Sequence, residues 1–246
     1  MPQINYLKLS AFISFSLYTI TSFGGVSFTP KSGDYVPQIT ITDEIRKEDL
    51  LNFMTFAQMA RADGLYQIIL NSSGGDVETA LSMGKVIRID RASVSVPDGA
   101  TCLSSCVFIL ASGVIRYVGG VVGIHRPFAI DDTDTDFKSQ KRKYSKLEKD
   151  IKLYLKAMNI PVSLYDDMFR IPPHKIVLLS KEELRNYGLN EDDPYEDAAR
   201  IAAVAKILGI SSKELIQRQA LANAKCNTGI PEKDAKCYDQ VIKRGK

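Results

Sequence analysis

The 246-residue sequence has few histidines, few cysteines, no tryptophan and little excess of either charge. His125 and His174 are its only histidines, which excludes an all-histidine metal site. The missing tryptophan excludes nothing by itself. Lys and Arg total 32 against 29 Asp and Glu, a formal net charge of +3. That balance does not suit a dedicated nucleic-acid binder, whose domain is strongly basic with the charge gathered on one face. Neither glycine-rich phosphate loop, G-x-G-x-x-G or G-x-x-x-x-G-K-[ST], occurs, so no nucleotide cofactor is implied. The four cysteines contain no C-x-x-C knuckle, and their spacings do not suit zinc. No apolar run reaches the ~20 residues of a transmembrane helix.

What is present is ordinary globular composition, 45% apolar and 25% charged, preceded by an unusual start. Residues 9–23 (LSAFISFSLYTITSF) form an apolar stretch broken by serines and threonines. Such a stretch suits the core of a secretory signal, and Ser22 and Gly24 put small residues at −3 and −1 for cleavage after Gly24. The expectation is a signal peptide over 1–24 and an exported, periplasmic or secreted protein. A membrane anchor over 9–23 and an N-terminal strand are the alternatives. In an exported chain, the local pairs Cys102/Cys106 and Cys226/Cys237 read as two disulfides.

Residues 38–42 alternate as a half-buried strand does. Residues 49–62 read as a helix with Leu50, Phe53, Met54 and Phe56 inward. YQIILN (66–71) suits a strand buried in a parallel sheet. It runs into Ser72-Ser73-Gly74-Gly75 and then a helix carrying Val77, Ala80, Leu81, Gly84 and Ile87. Residues 93–96 and 121–124 read as strands and 102–113 as a short apolar helix. This rhythm predicts stacked βαβ units in an α/β fold. Residues 136–158 form one long charged helix whose charged face is taken as solvated. Ser180 and Ser211 open two more helices with capping boxes. The tail is read as two helices over 195–225, closed by a disulfide loop around Gly229. The acidic run 132–136 has Phe137 where a calcium loop needs glycine, so calcium is not expected.

Three polar turns fall where strands end: NSSGG (71–75), CLSSC (102–106) and GIHRP (123–127). In open α/β sheets ligands bind outside the carboxyl ends of strands, so these turns can converge. A serine hydroxyl needs a base to become a nucleophile, and histidine is the side chain whose ordinary pKa suits that task. Ser104 is the candidate nucleophile and His125 the candidate base. Backbone N–H groups of the glycine turn and of Ser105 are the candidate oxyanion donors. Taken singly, the same residues also read as a tight turn, helix N-caps and a loop histidine.

The segments IILNSSGGDVETALSMGKVIR, CLSSCVFILASG and VVGIHRPF, in this order, resemble the three signatures of the Clp protease proteolytic-subunit family. They are closest to an exported branch with Cys-x-Ser-x-Cys around the nucleophile. The resemblance spans about residues 39–189. It implies a ClpP/crotonase-like spiral of ββα units over 36–190, followed by a helical C-terminal extension over 195–246. By the same resemblance Ser104 is the nucleophile, His125 the base, and Gly74 and Ser105 the oxyanion donors. The helix over 136–158 matches the family's handle helix for subunit assembly, which implies a homo-oligomer. The sequence departs from the pattern at the triad acid: Lys175 and Ile176 stand where a carboxylate is expected. Asp167 or Asp166 is then the third member, or the site is a Ser/His dyad, or it is inactive.

The resulting expectation is an exported, ATP-independent serine endopeptidase without metal or cofactor. Its partner is a polypeptide substrate, with no nucleic acid and no membrane span once the leader is cut. A non-catalytic oligomeric binding protein on the same fold is the second reading. A crotonase-type acyl-thioester enzyme is the third.

Overall fold

The computed structural model describes residues 21–127 apart from 24 and 34, and 137–245 apart from 173 and 230. The expected leader lies outside these residues up to position 20, as does the acidic run 132–136. Thr21–Phe23, the end of that leader, is strand β1 and pairs antiparallel with β2 (Val26–Thr29), which continues antiparallel onto β3 (Gln38–Ile45).

The core follows as α1 (Asp49–Ala62), β4 (Gln67–Gly75), α2 (Val77–Asp90), β5 (Ser93–Val96), β6 (Thr101–Leu103), α3 (Cys106–Ser112), β7 (Arg116–Val118) and β8 (Val121–Ile124). These strands pair in parallel, as the strand–helix rhythm predicts. The sheet forks at β4. Its first half, Gln67 to Ile69, pairs with β5, which pairs on with β7. Its far end pairs through Ser72 with Cys102 of β6, and β6 pairs with β8. The second branch carries the strand ends on which the three polar turns sit.

Alternation explains the sheet. Ile39, Ile41 and Ile45 of β3 and Ile68 and Leu70 of β4 are buried, with more exposed residues between them. Against them α1 turns Phe53, Phe56, Ala57 and Ala60, a helical i, i+3, i+4, i+7 set. Met54 was expected inward but is half exposed; one residue past Phe53, it is rotated about 100° away from that stripe. Every residue of α3 is buried, as suits a helix that is apolar all round. Gly84 of α2 leaves the space that the Tyr154 hydroxyl occupies. That hydroxyl donates to the Phe108 carbonyl at 2.7 Å, which fixes the next helix over α3.

That helix is α4 (Phe137–Ala157), followed by α5 (Ser163–Arg170), a short β9 (Val177–Leu178) antiparallel to β8, and α6 (Lys181–Asn186). Ser180 forms the expected capping box with Glu183. The chain ends in α7 (Pro194–Leu208), α8 (Ser212–Lys225) and α9 (Pro231–Arg244). A buried cluster joins α7 to the core. Fully buried Asp193, the N-cap of α7, pairs with Arg88 and Arg116 at 3.1 Å each and accepts from Asn159 at 2.9 Å. Burial and the neighbouring Arg88 lower Arg116 to about 10.

Both expected disulfides are present, Cys102–Cys106 and Cys226–Cys237. The second differs in setting from the expectation. Cys226 ends α8, but Cys237 lies on α9 rather than in a loop, so the bond clamps two helices.

Candidate active site

The three turns meet. Residues Ser73, Gly74, Gly75, Ser104, Ser105 and His125 line one cavity of about 360 Å³, with Glu44, Val77, Phe108, Pro127 and Met168 completing its wall. Ser104 sits between β6 and α3, in a turn too tight for ordinary right-handed backbone: its φ is +57°. Left-handed backbone is unusual for a residue with a Cβ. Its N–H donates to the Gly123 carbonyl at 2.9 Å, which ties the turn to β8. Cys102, in β6, and Cys106, the first residue of α3, bridge across this turn.

Ser105 is the N-cap of α3, so its N–H is one of the donors that a helix start leaves unpaired within the helix. The Ser105 hydroxyl is buried and has no hydrogen-bond partner among the described residues. Gly74 faces this turn at close range. A Cβ there would come within 2.7 Å of Ser104 Cβ and 3.0 Å of the Ser105 nitrogen, and the φ of +89° needs glycine in any case. The expected helix-opening turn at 72–75 is different in kind. Residues through Gly75 belong to β4, which shifts register against β3 at Asp43/Glu44, and Asp76 is the N-cap of α2. The Gly74 N–H donates to Ser72 Oγ at 3.1 Å, and Ser72 Oγ donates in turn to the Asp43 carbonyl at 2.5 Å.

His125 follows β8 and is 9% exposed. Its Nδ1 lies 2.9 Å from the Arg126 carbonyl oxygen. A carbonyl only accepts, so this contact requires the proton on Nδ1 and leaves Nε2 as the basic nitrogen of the neutral ring.

The two acid candidates are engaged elsewhere. Asp167 accepts from the Tyr187 hydroxyl and from Arg170, both at 2.6 Å. Burial, followed by that bond to Asp167, holds the Tyr187 phenol well above its ordinary range. Asp166 pairs with Lys152 at 3.3 Å. Among the described residues neither lines the cavity. His174 and Lys175 are exposed.

Sequence reasoning did not foresee Glu44, Phe108 or Met168 in the wall. Phe108 was one helical turn after Ser104 and so could have been found. Glu44 and Met168 arrive from segments about 60 residues away on either side, for which no local pattern exists.

No family profile matches the sequence, and no curated protein does. Solved structures do. A serine-to-alanine mutant of the membrane-bound stomatin-specific protease 1510-N aligns at 18% identity and a TM-score of 0.48, over 65% of this chain and 81% of that one. A point mutant of ClpP1 from Listeria monocytogenes aligns at 15% identity and a TM-score of 0.50, over 64% of this chain and 92% of that one. Together with the parallel forked sheet, the ClpP1 alignment gives the chain a ClpP-like α/β fold.

Proposed function

We propose that this protein is an exported serine hydrolase, an ATP-independent endopeptidase acting on polypeptides through Ser104 and His125. The observation that carries the reading is a non-glycine Ser104 held at positive φ on a strand-to-helix turn, in one cavity with a histidine and two candidate oxyanion donors. A serine on a sharp strained turn presents its Oγ to the cavity rather than to its own helix.

In this reading Ser104 Oγ attacks the substrate carbonyl while His125 Nε2 takes the hydroxyl proton. The tetrahedral oxyanion accepts from the Ser105 and Gly74 N–H groups. Gly74 first exchanges its bond to the neutral Ser72 hydroxyl for one to the oxyanion, which is favoured because charge-assisted hydrogen bonds are roughly twice as strong. The imidazolium then protonates the leaving amine, and a water molecule, deprotonated by the same Nε2, hydrolyses the acyl-enzyme. Asp167, held by Tyr187 and Arg170, is not the third member in this reading. The two disulfides support an oxidising compartment. No helix among the described residues is long and apolar enough to cross a membrane. Helix α4 serves as the handle of a homo-oligomer.

The test is intact mass of the non-reduced protein before and after fluorophosphonate treatment, beside Ser104→Ala. One adduct on the wild type and none on the variant is expected. Folded wild type without an adduct refutes the hydrolase and leaves the non-catalytic binding protein.

A further inference from the structure

We infer that Glu44 sets the specificity of the site, and that its substrates are polypeptides with a lysine or arginine beside the scissile carbonyl. The inference rests on the hydrolase reading above and adds the class of side chain that the cavity takes. The sheet puts Glu44 in place. In the register of β3 on β4 it pairs with Gly74, the glycine that faces Ser104 at close range. Among the described residues that line the cavity, Glu44 is the only carboxylate, and none is a lysine or an arginine. An entering cation therefore meets an opposite charge in the wall and no like one.

The rest of the wall suits the stem of such a side chain. Val77, Phe108, Pro127 and Met168 are apolar, and Phe108 and Met168 are buried, whereas the Glu44 side chain is 56% exposed. The cavity is thus apolar inside and charged toward the solvent. Lysine and arginine divide in the same way: their methylene stems pack on apolar surface while the charged head stays at the water. The stem lies along the apolar wall and the head reaches Glu44. Arg46 is the group to be displaced, its Nε 3.4 Å from the Glu44 carboxylate. Both partners of that pair are more than half exposed, and an exposed pair contributes little. A substrate cation whose stem is packed in the cavity competes with it at low cost.

The test is the second-order rate of labelling by two peptidyl diphenyl phosphonates, followed by intact mass. They are identical except for lysine or norleucine at the residue bearing the phosphorus, which differ by the ammonium group alone. A small fluorophosphonate, which carries no such side chain, reports Ser104 itself. Wild type is expected to favour the lysine reagent by about 5- to 30-fold, the scale of one partly exposed hydrogen bond between charged groups. That ratio is expected to fall severalfold between about 0.05 and 0.5 M salt, because a solvent-facing pair is screened. Glu44→Gln is expected to bring the ratio close to one, and Glu44→Lys to take it below one, since like charges then oppose. Arg46→Gln removes the competing cation and is expected to raise it. Wild type that reacts with the fluorophosphonate but does not prefer the lysine reagent overturns the inference while leaving the hydrolase reading intact, and this arm needs no variant. A preference that survives in Glu44→Gln overturns the assignment to Glu44. Wild type that the fluorophosphonate does not label overturns both readings.

Discussion

Ser104 carries a cost that thermodynamics can isolate from catalysis. At φ +57° it occupies the left-handed region, which disfavours a residue bearing a Cβ by roughly 1–2 kcal/mol. Glycine escapes that cost but loses about 0.5–1 kcal/mol more conformational entropy on folding than alanine. Ser104→Gly and Ser104→Ala both remove Oγ, so neither can label, and their difference reports the backbone alone. The centres of the two ranges leave Ser104→Gly more stable than Ser104→Ala by about 0.75 kcal/mol, the reverse of the order these residues show on ordinary extended or helical backbone. For a chain of this size that is about 1–4 °C in unfolding temperature. Thermal unfolding of both oxidised variants, followed by circular dichroism and checked against urea midpoints, gives the number. Should Ser104→Ala prove as stable as Ser104→Gly or more so, the turn holds no strain, and the chief observation behind the proposed nucleophile falls with it.

Two further predictions concern the buried cluster at the start of α7. Asp193→Ala leaves Arg116, 1% exposed, and Arg88 facing each other without their carboxylate. A buried charge stripped of its partner costs about 3–5 kcal/mol. Arg200→Ala breaks only exposed pairs and should cost under about 1 kcal/mol. Urea unfolding of the two variants side by side settles the contrast, and equal midpoints contradict it. The same cluster sets an acid limit. Burial alone would raise the Asp193 carboxyl, but Asn159, the Glu196 N–H, Arg88 and Arg116 outweigh it and hold the group below its ordinary value. A depressed folded pKa gives stability that is fully present above the unfolded value of about 3.9 and is lost as pH falls through the folded one. The stability difference between wild type and Asp193→Asn is therefore expected to shrink below about pH 4, and a constant difference from pH 6 to pH 2.5 would exclude Asp193 as its source.

The parallel core was legible because its signals are local. YQIILN is a continuous apolar run of strand length, and helices α1 and α2 carry helical stripes within single windows. The meeting of Gly74, Ser104, Ser105 and His125 was legible for a related reason: each lies at a strand end, and parallel pairing brings those ends to one side of the sheet. Register was not legible. A strand can continue through two serines and two glycines when it bulges, as β4 does at Ser73, which is passed over where Asp43 pairs with Ser72 and Glu44 with Gly74, and the residue types alone do not announce that. Met54 failed because an apolar residue on a helix is not thereby on its inner face. Cys237 failed because the turn at Gly229 hid a helix whose apolar positions are few. Asp167 stayed open in the sequence because proximity along the chain says nothing about which partner a carboxylate meets. Tyr187, 20 residues away, and Arg170 are the partners it has.

The Cys102–Cys106 bond gains its meaning from the strain it encloses. It bridges residues four apart in sequence, and the loop-entropy relation gives a ring that small only about 2 kcal/mol. For the whole fold this is a minor term, exceeded by the buried cluster at Asp193 alone. Set against the turn inside the ring, it is of the same order as the roughly 1–2 kcal/mol that the left-handed Ser104 costs. A crosslink placed anywhere else could add as much global stability. Only one spanning residues 102 to 106 restricts, in the unfolded chain, the same residues whose folded conformation is unfavourable. Both cysteines are fully buried, and the Gly123 carbonyl and the α3 helix hold the turn from its two ends. The strained serine is thus offset locally, within a ring that contains only Leu103, Ser104 and Ser105 between its cysteines, and its geometry depends little on the distant helices α7 to α9.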